Sequence, residues 1–319
     1  MMTTKMDSCN VLQAARLLKE QDRFLLLTHK NPDGDTLCSA AALCHALRRA
    51  GKTAFLYRNE QITEKYLPYV STYLEETGFV PEYIIAVDLA TEQLFPNGFS
   101  GKVDFCVDHH PTNSFYAGKT LACPDRSSCG EIVMALIEKL CGNLSREEAD
   151  LLYIAVSTDT GCFQYANTNA KTFSAASHLL AHGADNAAAN LVFFRQVSRA
   201  RVELEGAIYS GMTFHRGNAV VVATVTQEMM RRCGATEDDC DDLASLTGRV
   251  RGCKVGITIR ELESGESKIS VRTSKDVSSI EICSVFGGGG HEMAAGCTIS
   301  AGPARSKELL LAVVDEVMK

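Results

Sequence analysis

The chain is expected to be an α/β protein, with an N-terminal doubly wound, mostly parallel sheet and a smaller C-terminal α/β domain. Three observations predict this class. Short, wholly apolar runs recur between residues 24 and 107, the pattern of strands buried on both faces. Stretches with apolar residues at three- and four-residue spacing lie between and after them, as helices covering such a sheet would. The length of 319 residues exceeds one ordinary hydrophobic core and suits two.

The elements follow in order. Val11, Leu12, Ala15, Leu17 and Leu18 form one helical face, and Phe24, Leu25, Leu26 and Leu27 a continuous apolar strand. A helix over residues 35–50 stops at Gly51, and strands follow at 54–57, 83–87 and 103–107, separated by glycine, proline and polar stretches. Residues 130–201 are mostly helical, with segments at 131–140, 147–156 and 172–181. Strand signals return at 219–225, 254–259, 268–272 and 295–299. These changes of pattern predict one domain over 1–197, a linker helix over 198–213 and a second domain over 214–319, with any functional site expected in the cleft between the domains.

Composition narrows the function. Hydrophobic residues make up 45% and charged residues 22%, enough apolar material for real cores and no sign of a disordered chain. A net charge of -7 argues against the basic stripe that long duplex nucleic acid requires, and leaves a small anionic substrate open. The 13 cysteines include no C-x-x-C pair, and Cys44, Cys106 and Cys283 stand among apolar neighbours, the usage of a reducing cytoplasm. The opening MMTTKMDSCN has neither the basic start nor the apolar core of an export signal, and no span approaches the roughly 20 apolar residues of a membrane helix. Neither export nor a membrane anchor is expected.

The strand at Phe24 to Leu27 runs straight into Thr28-His29-Lys30-Asn31-Pro32-Asp33-Gly34-Asp35. An imidazole and two carboxylates therefore stand at the carboxyl end of a buried strand, the edge where open α/β sheets bind ligands. Pro32 and Gly34 tighten the loop, so that Asp33 and Asp35 can turn toward a common centre while His29 approaches from the strand end. Carboxylates so close repel unless cations lie between them. The competing reading is a helix start decorated with Asp, with Asp35 as its cap. Repetition favours the first reading. Asp88 ends the strand-like run at 84–87, Asp108, His109 and His110 end that at 105–107, and Asp159 follows the apolar stretch at 151–156. Carboxylate and imidazole without thiolate suit Mn²⁺ or Mg²⁺ better than structural Zn²⁺. Near the C-terminus, Gly287-Gly288-Gly289-Gly290-His291 is either an anion-binding loop or a flexible turn between helix and strand.

In combination, His29-Lys-Asn-Pro-Asp33-Gly-Asp35, Asp88, the literal Asp108-His109-His110, Asp159-Thr160-Gly161 and Gly287 to His291 resemble the DHH phosphoesterase superfamily with its associated C-terminal domain. The likeness covers nearly the whole chain, with five motifs in order, and is greatest to the nanoRNase and pAp-phosphatase branch. It implies that His29 and Asp33 hold one metal, that Asp35, His109 and Asp159 hold another, and that Asp88 bridges the two. His110 then faces the scissile phosphate, and Asp108 orients the histidines. Arg272 and His291, with Gly288, Gly289 and Gly290, match the family's substrate-phosphate contacts. Cys38-Ser39 stands where many members carry Gly-Ser, and Cys129 where a hydroxyl is common.

The implied activity is two-metal hydrolysis, Mn²⁺ before Mg²⁺, of short oligoribonucleotides and linear dinucleotides such as pApA and pGpG, and dephosphorylation of 3'-phosphoadenosine 5'-phosphate. Two alternatives stand beside it, a manganese pyrophosphatase or polyphosphatase and a nucleotide-binding regulator without chemistry. The expected partner is short RNA or a nucleotide, with no long duplex and no membrane, and the sequence leaves a homodimer open.

Overall fold

The structure, a computed structural model, describes residues 8–240 and 242–319; residues 1–7, on which the reading of an absent export signal partly rests, lie outside the described residues. The chain divides into two compact units, one ending at Gln196 and one running from Val197 to Lys319.

The first unit contains α1 (Val11–Glu20), β1 (Phe24–Leu27), α2 (Gly34–Arg49), β2 (Ala54–Leu56), α3 (Leu67–Val70), β3 (Tyr83–Val87), β4 (Phe105–Asp108), β5 (Lys119–Ala122), α4 (Cys129–Cys141), α5 (Arg146–Asp159), α6 (Ala170–Ala181) and α7 (Asn186–Asn190). The helices begin on side-chain caps: Asn10 with Gln13 closes a capping box on α1, and Ser145 with Glu148 another on α5. The strands form one sheet in the order β2-β1-β3-β4-β5, and every pairing is parallel. The expected parallel sheet is present, with β5 added at its edge. The winding reverses between β1 and β3, which opens a crevice at the carboxyl ends of those two strands.

Alternation along each strand sends side chains to opposite faces. Phe24, Leu26, Ile85, Val87, Phe105 and Val107 pack under the helices, whereas Leu25, Leu27, Ala86 and Cys106 face the other way. That second face is closed by loop residues, among them Phe79, Leu94, Phe95, Phe99 and Tyr116, rather than by long helices.

The second unit contains α8 (Arg199–Gly211), β6 (Thr213–His215), β7 (Val220–Val225), α9 (Gln227–Cys233), α10 (Ser245–Gly248), β8 (Val255–Glu261), β9 (Ser267–Thr273), α11 (Ser279–Ser284), β10 (Gly289–His291), β11 (Ala294–Ile299) and α12 (Pro303–Val317). Its sheet runs β10-β11-β9-β8-β7-β6, with β7 and β8 parallel and the other neighbours antiparallel. One face packs Ile257, Ile269 and Val271 against Ile282, Leu310 and Val314 of α11 and α12. The other packs Val221, Ala223 and Val225 against Leu204 and Ile208 of α8, the helix at the expected linker position. No described helix is long and apolar enough to cross a membrane.

Candidate metal centre

The loop after β1 delivers the first three groups. Asp33 is the N-cap of α2, its carboxylate accepting the Thr36 N–H at 3.1 Å. The capping role read for Asp35 therefore falls to Asp33. Asp35, in the first turn, is turned inward and buried, and accepts N–H bonds from Cys129 at 2.7 Å and Gly130 at 3.0 Å, the first two residues of α4. The unpaired N–H groups of a helix start thus hold this carboxylate, and Ser39 Oγ donates a third bond at 3.0 Å. Gly34 does not tighten the loop through an unusual backbone angle. A Cβ at that position would overlap Thr158 Oγ1 and lie 2.7 Å from Thr158 Cγ2, so glycine lets the start of α2 meet the end of α5 beside Asp159.

Asp159 is the last residue of α5, the helix expected over residues 147–156, so unlike Asp88 and the histidines it is delivered by a helix end and not by a strand. Leu151, Leu152, Tyr153, Ile154, Ala155 and Val156 are all buried and fix that end in the core. Asp88 and the two histidines do follow strands, β3 and β4. Asp88 takes a left-handed backbone, φ 59°, uncommon outside glycine, with its N–H bonded to the Val107 carbonyl at 2.8 Å.

These elements bring all six expected ligands together. His109 Nε2 lies 3.4 Å from Asp88 Oδ1, 3.7 Å from Asp159 Oδ2 and 3.9 Å from Asp35 Oδ2, and His29 Nε2 lies 3.6 Å from Asp33 Oδ1. Two sets of groups have ligand atoms close enough to share one ion, His29 with Asp33 and Asp88, and Asp35 with His109 and Asp159. Asp88 also groups with His109 and His110, which places it between the sets.

The tautomers suit ligation. His29 Nδ1 contacts the Lys30 carbonyl at 2.8 Å and His109 Nδ1 the Arg126 carbonyl at 3.3 Å; each Nδ1 donates there and leaves Nε2 as the lone-pair atom facing the carboxylates. His110 is held through Nδ1 as well, by Asp108 Oδ1 at 2.8 Å, while Asn113 Nδ2 donates to the other Asp108 oxygen at 2.5 Å. Asp108 therefore orients His110 rather than both histidines.

The electrostatics ask for cations. Burial first, then the charges of Asp35, Asp33 and Asp159, pushes the Asp88 carboxyl well above its ordinary range. Burial likewise raises Asp159 well above that range and moves Asp35 to about 6. Asp88 Oδ1 and Asp159 Oδ2 are buried oxygens that accept no hydrogen bond. Buried acceptors left without a donor cost free energy, so orphaned oxygens in a cluster of carboxylates fit cation ligands.

Cys38 and Cys129 are buried, with thiols raised by burial and by nearby carboxylates, and behave as small apolar side chains. Cys129 serves Asp35 through its amide, and its Sγ points to the Val107 carbonyl at 3.4 Å.

Residues 23–156 match the model described as the DHH family, N-terminal domain, and residues 217–319 match the DHHA1 domain. The bifunctional oligoribonuclease and PAP phosphatase NrnA of Thermus thermophilus is 30% identical over 277 residues, covering 86% of this chain and 83% of that protein. The chain belongs to the DHH family. The protein of the same name from Bacillus subtilis is 24% identical over 89% of this chain and 91% of its own. A crystal structure of an exopolyphosphatase-related protein from Bacteroides fragilis superposes with a TM-score of 0.87 at 20% identity, over 96% of each chain, and shares the fold.

The remaining expected residues lie in the DHHA1 segment, on one end of the second sheet. Ala294 of β11 pairs with Arg272 of β9 on one side and with His291 of β10 on the other. Directly paired residues project from the same face, so Arg272 and His291 flank one row. Gly289 and Gly290 belong to β10, so the glycine run is half strand rather than a loose turn, and Gly288 immediately precedes it. Sequence reasoning missed Asn113, whose role depends on a fold back onto Asp108, and Thr36, whose Oγ1 donates to the Val87 carbonyl at 2.8 Å and ties α2 to β3. The Pro-Thr-Asn turn after His110 is the one signal that points toward Asn113.

Proposed function

We propose that this DHH phosphoesterase hydrolyses short oligoribonucleotides and linear dinucleotides to mononucleotides and removes the 3'-phosphate of 3'-phosphoadenosine 5'-phosphate, with two divalent cations, Mn²⁺ before Mg²⁺. The observation that carries the reading is the pair of three-residue ligand sets with Asp88 placed to serve both. Its oxygen-rich, thiolate-free donors suit these ions. The substrate class is supported by the NrnA relatives, which span nearly the same length as this chain, and by the net charge of -7, unsuited to long nucleic acid.

His29, Asp33 and Asp88 would hold one ion, and Asp35, His109 and Asp159 with Asp88 the other. Such ions supply Lewis-acid charge against phosphoryl oxygens and an acidified water as nucleophile. The chain contributes orientation and proton control. His110, fixed at Nδ1 by Asp108, presents Nε2 to the phosphate or leaving oxygen. Arg272 and His291 supply planar and single donors to phosphate oxygens. The free thiols support a reducing cytoplasm as the site of action.

Product analysis with Mn²⁺ and, side by side, pApA, a five-nucleotide RNA, 3'-phosphoadenosine 5'-phosphate and pyrophosphate tests the reading. Mononucleotides from the first two support it, and activity on pyrophosphate alone overturns it.

A further inference from the structure

One short segment, residues 126–130 between β5 and the first turn of α4, is bonded to every member of one ligand set. The Arg126 carbonyl accepts from His109 Nδ1 at 3.3 Å, and the Cys129 and Gly130 N–H groups donate to the Asp35 carboxylate. Asn167 brings in the third member: its Nδ2 donates to the Ser127 carbonyl at 3.1 Å and to the Asp159 carbonyl at 3.1 Å. His29 and Asp33, of the other set, are held by the Lys30 carbonyl and the Thr36 N–H instead.

The segment is held in turn by Glu131, whose side chain has no exposed surface. Glu131 Oε1 accepts from Ser127 N–H at 3.2 Å and from Ser127 Oγ at 2.6 Å, and Thr172 Oγ1 lies 3.2 Å from the same oxygen. Glu131 Oε2 pairs with the Arg126 guanidinium at 3.2 Å. A buried carboxylate is stable only when paired and bonded in this way, so Glu131 fixes the course of the chain through Arg126 and Ser127.

We propose that Glu131 and Asn167 are positioning residues for one ion alone, the one assigned to Asp35, His109 and Asp159, and that they act through the backbone of residues 126–130. The proposal rests on the reading that a divalent cation occupies each ligand set.

Neither side chain belongs to a ligand set. Asn167 uses both N–H groups of one amide on two main-chain carbonyls, which an alcohol, with a single O–H, does not reproduce. One of those carbonyls is on the last residue of α5 and the other on the segment that holds Asp35 and His109, so the bridge sets the spacing of the three ligands. Asp88, which serves both sets, is fixed independently by its own N–H bond to the Val107 carbonyl. Loss of the clamp therefore loosens one ion's ligands and leaves His29 and Asp33 in place. Partners of this kind, one bond removed from the metal, typically change affinity about 10- to 100-fold.

The test is calorimetric titration of full-length, metal-stripped protein with Mn²⁺, alongside melting curves of the metal-free proteins. Asn167 is exposed, so Asn167→Ala should fold with a metal-free Tm close to that of the parent, which keeps the proposal decidable should Glu131→Gln fail to fold. Expected are two binding steps in the parent and, in Asn167→Ala and Glu131→Gln, the same one of these weakened about 10-fold or more. His29→Ala should weaken the other step, and His29→Ala with Asn167→Ala should weaken both. Two unchanged steps in Asn167→Ala, equal loss at both, or loss at the step that His29→Ala weakens overturns the proposal. A parent protein that takes up a single Mn²⁺ defeats the two-ion reading instead, and the clamp then stands or falls on whether Asn167→Ala weakens that step. No uptake defeats both.

Discussion

His110 donates its Nδ1–H to Asp108 Oδ1 at 2.8 Å, and Asp108 has no exposed side-chain surface from which to move. Burial works to raise the Asp108 carboxyl, but the His110 and Asn113 hydrogen bonds outweigh it and hold it below the ordinary range. The pair fixes which ring nitrogen faces outward. Asp108→Asn replaces an acceptor with a group that also donates, and is expected to lower kcat about 10- to 100-fold with little change in KM. His110→Ala combined with Asp108→Asn should be no slower than His110→Ala alone, because the two act as one unit. Steady-state kinetics on pApA for the three variants decides this.

The metal-free protein should lose stability as pH rises. Asp35, Asp88 and Asp159 have carboxyls raised by burial, so the folded state binds more protons than the unfolded state above the ordinary carboxylate range. Stability then falls with increasing pH through each raised value. For Asp35 the window opens at the ordinary value of 3.8 and closes at about 6, on the order of 3 kcal/mol, and the other two extend it upward. Melting curves of chelator-treated protein from pH 5 to 8 should shift downward, and saturating Mn²⁺ should flatten the trend. A pH-independent Tm without metal contradicts it.

Gly34→Ala tests how α2 is brought to Asp159. The added methyl meets the Thr158 side chain, and overpacking of this kind costs about 1–3 kcal/mol. Denaturant unfolding should show that loss, activity should fall with it, and Thr158→Ala in the same chain should recover part of both.

Arg272 and His291 flank Ala294 at one end of the second sheet, far in sequence from the carboxylate cluster. Arg272 is exposed, so Arg272→Ala should leave the unfolding free energy unchanged within about 0.5 kcal/mol while raising KM for pApA. Arg272→Lys should recover only part of the affinity, since a point charge does not reproduce paired planar donors. Equal KM values for the three proteins contradict a phosphate contact.

The parts of the molecule legible in sequence were those where burial leaves an unbroken apolar signature. Strands β1, β3 and β4 are buried on both faces, and His29, Asp88 and His109 stand directly after them, so their shared edge could be read from order alone. Strands β5, β6 and β10 went unread because they are short and carry few buried apolar residues; Gly289–His291 is wholly exposed. Asp159 could be placed at the end of the helix expected over 147–156, whereas the capping swap between Asp33 and Asp35 depends on the N-terminus of α4, brought there from 94 residues away. Asn113 could not be found from spacing, since its partner is chosen by the fold.

The central claim, that two cations share Asp88, is tested most directly by titrating metal-stripped protein with Mn²⁺ while following pApA hydrolysis. Turnover should be absent in chelator and appear only as the second equivalent binds, giving a sigmoidal rise. Full turnover at one equivalent, or hydrolysis that persists in chelator, would contradict it.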